Sequence, residues 1–301
     1  TRSVFIRVPA PAAPAPKAAA PALSTFPAKP TDAMLDTLRE LRSGDSQRVF
    51  AAIREIRQPA PPVAAQLVRL LAWDEVSNEA REVLQLNPTP VTGLLVDHLT
   101  NPDVLFGIRR RVPRILARSD SQLAASGLLA GLEDQRFEVR FQCSRALDAL
   151  KQRRPGLKVP ADAVYAAVER ELKVAHPIWN SRRLLDRRAD ADQNAYLDDV
   201  LRERADQSLE HVFSLFAAVL PRDPVKIAFR ALHTEDKTLR GLAAEYLDSM
   251  LPPHIRELLW KMVEPGLSKG APAQESGQAA LDRLLQSHES LMIMIDKDKL
   301  R

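Results

Sequence analysis

The sequence predicts an all-α chain in which antiparallel helical hairpins stack side by side into a right-handed α-solenoid. Three observations predict this fold class. Apolar residues recur three and four positions apart, prolines and glycines interrupt them at short intervals, and one helix–turn–helix pattern returns several times. A hairpin of this length cannot bury its own apolar face, so it becomes stable only when a neighbouring hairpin stacks on it.

The composition favours helices and argues against a nucleic-acid coat protein, an internal disulfide and a membrane span. The 301 residues are 45% apolar and 5% aromatic with 10 glycines, which suits helices that meet through small, flat contacts. Lys and Arg number 43 against 39 Asp and Glu, a smaller excess than in proteins that coat nucleic acid. The single cysteine, Cys143, excludes an internal disulfide, and no apolar run is long enough to cross a bilayer. We therefore expect a cytoplasmic location.

The chain divides into three parts. Residues 1–30 are rich in Ala and Pro, and we expect a disordered tether there because proline removes backbone donors and fixes φ. The solenoid is expected over residues 31–295, and residues 296–301 form a C-terminal tail. Because the chain lacks an initiator Met, we expect it to be a fragment of a longer protein.

The helices of the folded part follow one another between breakers. The first three are predicted by these apolar positions: Leu35, Leu38 and Leu41; Val49, Ile53 and Ile56; Leu67, Leu70 and Leu71. The breakers that end successive helices are Gly44, Pro59, Pro61, Pro62, Pro88, Pro90, Pro102, Pro155, Gly156, Pro160, Pro177, Pro221, Pro224, Pro252 and Pro253. Most helices are therefore expected to span ten to fifteen residues.

Two segments share a closely similar hairpin pattern. They are LLAGLEDQRFEVRFQCSRAL (128–147) and AFRALHTEDKTLRGLAAEYL (228–247), and looser copies lie at 94–116 and 67–86. The turn aspartates and the arginines that follow them are predicted to form a polar ladder along the stack. The ladder residues are Asp134, Arg140, Asp236 and Arg240.

These copies resemble HEAT repeats of the shorter bacterial kind, roughly 30 residues each. Residues 132–147, 183–190, 201–260 and 284–293 resemble a bacterial HEAT-repeat region that often follows a membrane domain similar to ATP/ADP-translocase-type nucleotide transporters. The likeness covers roughly residues 60–295 and is most specific over 201–260. It implies a cytoplasmic domain tethered to a membrane, but no substrate site of a transporter maps onto this chain.

The sequence offers no catalytic or metal-binding pattern. It has no Walker A or dinucleotide-binding glycine motif, and its six histidines are never three or four residues apart. We assign no nucleophile, base, metal ligand or cofactor, and we expect the chain not to be an enzyme.

Clustered arginines form the candidate binding surface. Its residues are Arg109, Arg110, Arg111, Arg114, Arg182, Arg183, Arg187 and Arg188. The first four are expected in one helix with no acid between Val104 and Ala117. In one interpretation the guanidinium groups line one surface and bind phosphates or an acidic partner. In the alternative they are solvated or paired with neighbouring carboxylates.

Three functions remain open at this point. The first is a scaffold that binds a protein partner of unknown identity, which the repeats and the resemblance favour. The second is nucleic-acid binding, of the kind found in DNA glycosylases built from HEAT-like repeats, which the arginines favour and the small net charge of +4 opposes. The third, a nucleotide sensor for a transporter, rests on the resemblance alone.

Overall fold

The computed structural model describes residues 32–186, 195–234 and 236–263, and side-chain contacts over 32–173, 206–234, 236–261 and 263. Every regular element within these ranges is helical, so the prediction of an all-α chain is confirmed for them. The helices are α1 (Asp32–Leu41), α2 (Ser46–Glu55), α3 (Pro61–Leu70), α4 (Ser77–Leu86), α5 (Thr92–Thr100), α6 (Phe106–Arg109), α7 (Val112–Leu116), α8 (Gln122–Gly131), α9 (Phe137–Arg153), α10 (Ala161–Asp186), α11 (Ala195–Val219), α12 (Arg222–Leu232), α13 (Lys237–Met250) and α14 (Pro253–Val263). A 3-10 turn, Thr89–Val91, precedes α5.

Helices that follow one another in the chain pack together in pairs. The pairs are α1 with α2, α3 with α4, α5 with α7, α8 with α9, α10 with α11, and α12 with α13. We call α1, α3, α5, α8 and α10 the first helices and α2, α4, α7, α9 and α11 the second helices. Second helices contact second helices without interruption, in the order α2, α4, α7, α9, α11. Among the first helices, α1 contacts α3 and α5 contacts α8.

The order of contacts changes after the fifth pair. Helix α12 packs against the second helix α11, whereas α14 packs against the first helix α10. The buried apolar side chains nevertheless form one continuous cluster from Leu41 in α1 to Trp260 in α14. Each pair therefore shares its core with its neighbours, as the apolar spacing requires.

Local sequence explains where several helices begin. Asp45 accepts hydrogen bonds from the backbone N–H groups of Gln47 (2.9 Å) and Arg48 (3.3 Å) and so caps α2. Ser121 caps α8 through the N–H of Leu123 at 3.0 Å. Gly44, in the turn before α2, has a φ of +75°, a conformation that a residue with a Cβ rarely adopts.

The prediction of one helix across the arginines of residues 104–117 was wrong. The helix α6 ends at Arg109, and α7 starts again at Val112. Pro113 has no N–H to donate to the carbonyl of Arg109, and its ring clashes with that carbonyl in a continuous helix. The break turns successive arginine side chains in different directions.

Pro177 does not end a helix, contrary to the sequence-based prediction. It lies inside α10, whose 26 residues exceed the expected length, as do the 25 residues of α11. A proline removes one helical hydrogen bond, and α10, which packs against both α11 and α14, continues past it. The expected tether (1–30), tail (296–301) and last arginines (187 and 188) lie outside the described residues.

Candidate functional site

Arg109, expected on the surface, lies in the interior. Its side chain is only 11% exposed and pairs with the carboxylate of Asp134, in the turn of the following hairpin. Its Nε donates to the carbonyl of Val104 at 3.1 Å. Asp134 also accepts from the N–H of Arg136 at 2.8 Å, which shapes the turn before α9. Arg109 and Asp134 therefore join two hairpins.

Arg140 makes a second link of this kind. Its Nη1 donates to the carbonyls of Asp134 at 2.9 Å and Gln135 at 3.0 Å, which holds the turn of its own hairpin. Its Nε donates to the carboxylate of Glu171 in α10, the first helix of the next hairpin. Arg140 thus bonds both within its hairpin and to the next.

The polar chain continues into a buried junction, which we define as Arg140, Ser144, Glu171 and His211. Nε2 of His211 lies 3.7 Å from Oε1 of Glu171, and its Nδ1 lies 2.6 Å from Oγ of Ser144. The side chains of Glu171 and His211 are 2% and 1% exposed. The junction connects α9, α10 and α11 and was not predicted from the sequence.

Charge and burial act in opposite directions on Glu171. Burial raises the pKa of its carboxyl, but hydrogen bonds and charge from His211 and Arg140 outweigh burial and lower that pKa to about 2. Glu171 is therefore ionised at neutral pH, and its charge balances the guanidinium of Arg140 inside the core.

The junction contains the residue types of a hydrolytic triad, but a substrate has no open path to its serine hydroxyl. Ser144 is fully buried, and its hydroxyl donates to the carbonyl of Phe141 at 2.9 Å. The rings of Phe137 and Phe141 stand edge-on to His211. A substrate cannot reach this hydroxyl without opening the core, so the arrangement serves packing and orientation.

Cys143 and Asp236 are likewise buried or engaged in hydrogen bonds. Cys143 is fully buried, and burial raises the pKa of its thiol, which disfavours the reactive thiolate. Asp236 caps α13 by accepting from the N–H groups of Thr238 (2.8 Å) and Leu239 (3.2 Å). Arg240 lies one turn further into α13 and is half-buried.

Arg110 and Arg111 share one carboxylate. Arg111 pairs with Asp74 and also donates to the carbonyl of Leu71 at 2.7 Å, whereas Nη2 of Arg110 lies 3.4 Å from the same carboxylate. The guanidinium of Arg110 also stands 5.4 Å from the ring centroid of Phe106. A hydrogen bond from Arg111 lowers the pKa of Asp74. One acid thus balances two of the predicted surface arginines.

Arg114 is exposed and lies among other arginines. Its Nε donates to Oε1 of Gln142 in α9 at 3.2 Å, and its carbonyl accepts from Nε2 of Gln85 in α4 at 2.8 Å. Burial and then the charges of Arg81 and Arg145, followed by those of Arg111 and Arg110, lower the pKa of Arg114. Three consecutive second helices and their preceding turns therefore bring their guanidinium groups close together.

We call this surface the arginine face. It consists of Arg81, Arg110, Arg111, Arg114 and Arg145. Among the described side chains, its five cations contact two carboxylates, Asp74 and Glu210, and Oε1 of Glu210 lies 3.5 Å from Nε of Arg145. Positive charge is therefore in excess on this face. Such a face attracts anionic groups, and guanidinium groups bind carboxylates through two parallel hydrogen bonds.

The arginine face lacks some residues of the predicted surface and includes two residues that were not predicted. Arg109 leaves it for the interior, and Arg182 and Arg183 lie in the part of α10 whose side chains are not described. Arg81 and Arg145 join it although neither has another arginine next to it in its helix. No local pattern reveals such residues, because only the contact between neighbouring second helices brings them together.

Neither a metal site nor a membrane span is present in the described part of the chain. There, no three His, Cys, Asp or Glu side chains are grouped so that they could hold a metal ion. Likewise, no helix of residues 32–186, 195–234 and 236–263 is both long and apolar enough to span a bilayer. No protein-family model, curated protein or solved structure matches this chain.

Proposed function

We propose that the chain is a non-catalytic HEAT-like α-solenoid, a scaffold that binds an acidic protein partner through its arginine face. One observation carries the proposal: Arg114 is hydrogen-bonded to Gln85 in α4 and Gln142 in α9. Arginines from three successive hairpins therefore lie near one another and repel, with only Asp74 and Glu210 beside them in the described part of the chain. Carboxylates on a partner would relieve that mutual repulsion, and the gain in favourable contacts would stabilise the complex.

The packing order supports the solenoid part of the proposal. Five second helices contact one another in sequence, from α2 to α11, as expected for hairpins stacked in file. Stacking places equivalent positions of successive hairpins on one continuous surface. The resemblance to a bacterial HEAT-repeat region agrees with this arrangement, and Arg182, Arg183, Arg187 and Arg188 remain candidates for extending the face along it.

The absence of catalysis and the location are parts of the same proposal. Ser144 and His211 are sealed inside the core, so their hydroxyl–imidazole contact has no access to a substrate. The lone, buried Cys143 suits the reducing cytoplasm. Following the resemblance, we further propose that the domain works at the cytoplasmic face of a membrane as part of a longer protein.

The partial neutralisation of the arginine face favours a protein over nucleic acid. Asp74 and Glu210 lie among the five arginines and would repel the closely spaced phosphates of a nucleic-acid strand. A protein surface can place its carboxylates selectively beside arginines and avoid the two acids. Binding should weaken with salt in either case, so salt dependence alone does not separate the two partners.

Photo-crosslinking tests the proposal. A benzophenone amino acid replaces Gln142, which contacts Arg114 within the arginine face, or Arg69, an exposed residue of the first helix α3. We expect a protein adduct from position 142 whose yield falls at least tenfold in the Arg81→Glu/Arg114→Glu variant, and no such adduct from position 69.

Two results would contradict the proposal. One is an adduct at position 142 that forms equally well after both charge reversals. The other is retention of the chain on a DNA column at about 50 mM salt, with no protein adduct at either position.

A further inference from the structure

A cleft between α9, α11 and α12 continues the arginine face. Its volume is about 430 Å³, and Arg145 lines its edge while also belonging to the arginine face. The size lies within the range of pockets that bind small ligands or single side chains of a partner.

One side of the cleft is apolar and aromatic. Phe213 of α11 and Phe229 of α12 contact each other with ring centroids 5.1 Å apart, and Ala217 and Val225 extend the same wall. Phe213 is almost fully buried, whereas Phe229 is partly exposed. The wall therefore offers an exposed aromatic edge held in place by the core behind it.

The cleft also carries an excess of positive charge. Asp148 accepts from Nε of Arg222 at 2.6 Å and from its Nη2 at 3.2 Å, and Nζ of Lys226 lies 3.7 Å from the same carboxylate. Arg145 is adjacent to Glu210. Arg230 also lines the cleft, is exposed, and pairs with no carboxylate in the described part of the chain.

Arg222, Lys226 and Arg230 form a basic stripe, four residues apart on one face of α12. Two of the three share Asp148, and the third faces solvent at the mouth of the cleft. The contact between α12 and α11 brings the stripe and Phe213 into the lining of one cleft.

We propose that this cleft binds an acidic and partly apolar peptide segment of the protein partner. An apolar side chain of the segment lies against Phe213 and Phe229, and a neighbouring carboxylate pairs with Arg230 and with the free side of Lys226. This inference rests on the proposed function and adds the chemistry of the segment that the partner must contribute. Charge complementarity and the aromatic wall select for both properties together.

Selection from a library of random twelve-residue peptides displayed on phage tests the inference on the full chain. We expect enriched peptides in which Asp or Glu adjoins Leu, Phe or Trp. Their synthetic copies should bind at least tenfold more weakly to the Arg230→Glu and Phe229→Ser variants. Arg69→Glu, the same charge change on the first helix α3, should leave the affinity unchanged.

The outcomes separate this inference from the proposed function. If the crosslinked partner loses affinity in Arg81→Glu/Arg114→Glu but keeps it in Arg230→Glu, the arginine face binds the partner and the cleft does not, which overturns the inference alone. Enrichment of no peptide, or of basic peptides, also overturns it. Because Arg230 is exposed, its variant remains informative if Phe229→Ser fails to fold.

Discussion

Replacing Glu171 by Gln is expected to reduce the free energy of unfolding by about 3 kcal/mol at pH 7. The substitution keeps the shape of the side chain but removes the charge that balances Arg140 in a site where the two side chains are only 2% and 10% exposed. A guanidinium left without its carboxylate in the core retains its desolvation cost and loses the compensating attraction.

The same residue makes stability depend on acid. The pKa of Glu171 is about 2 in the folded chain and 4.5 ordinarily, so between these pH values the folded state binds fewer protons than the unfolded state. The contribution of Glu171 is therefore complete above about pH 4.5 and is lost as pH falls towards 2. Across that interval it amounts to about 3 kcal/mol.

Urea unfolding followed by far-UV circular dichroism at pH 7, 5 and 3 measures both effects. Glu169→Gln is the matched control, because Glu169 lies two residues away in α10 and pairs with Lys173 at 2.7 Å on the surface. We expect little change for the control and a shallower acid dependence for Glu171→Gln. A Glu171→Gln variant as stable as the unsubstituted chain, with the same pH dependence, would refute the role assigned to the buried junction.

Three further predictions concern packing, capping and reactivity. Gly127→Ala should destabilise the chain by about 1 to 3 kcal/mol in thermal unfolding. The reason is that a Cβ at this position would lie 2.9 Å from Cγ1 and 3.1 Å from Cβ of Val96. Gly241→Ala, whose Cβ would meet nothing within 4 Å, should instead stabilise it by about 1 kcal/mol. Asp236→Ala removes the cap of α13 and should cost about 1 kcal/mol in urea unfolding. Cys143 should react with iodoacetamide only after unfolding, as mass spectrometry can show, because burial raises the pKa of its thiol.

A different result would contradict each of these three predictions. Equal effects of the two glycine substitutions would show that α5 and α8 are not in close contact at Gly127. An unchanged unfolding midpoint for Asp236→Ala would show that the cap does not contribute, and labelling of Cys143 in the native chain would show that the centre of α9 opens readily.

The helices were largely predictable because each depends on local spacing. Gly44 and the prolines at 61 and 62 mark real boundaries, since φ and the missing donor act within one turn of the chain. Pro113 lies at the start of α7, where a break was not predicted, whereas Pro177 lies within α10, where a break was predicted. Whether a proline breaks a helix depends on tertiary contacts.

The candidate site was less predictable because it depends on contacts between hairpins. The arginines clustered in the sequence include Arg114, which is exposed, and Arg109, which lies in the interior. Arg145 and His211 carry no local signal, since their partners are contributed by other helices. Sequence periodicity identifies which helix face is buried, but it does not identify which polar groups meet across neighbouring hairpins.

Hydrogen–deuterium exchange on the full chain, with and without the crosslinked partner, measures which helices the partner covers. We expect slower exchange in the second helices α4, α7 and α9 and in α12, with little change in the first helices α3, α5 and α8. Protection confined to the first helices, or unaltered exchange throughout α4, α7 and α9, would contradict it.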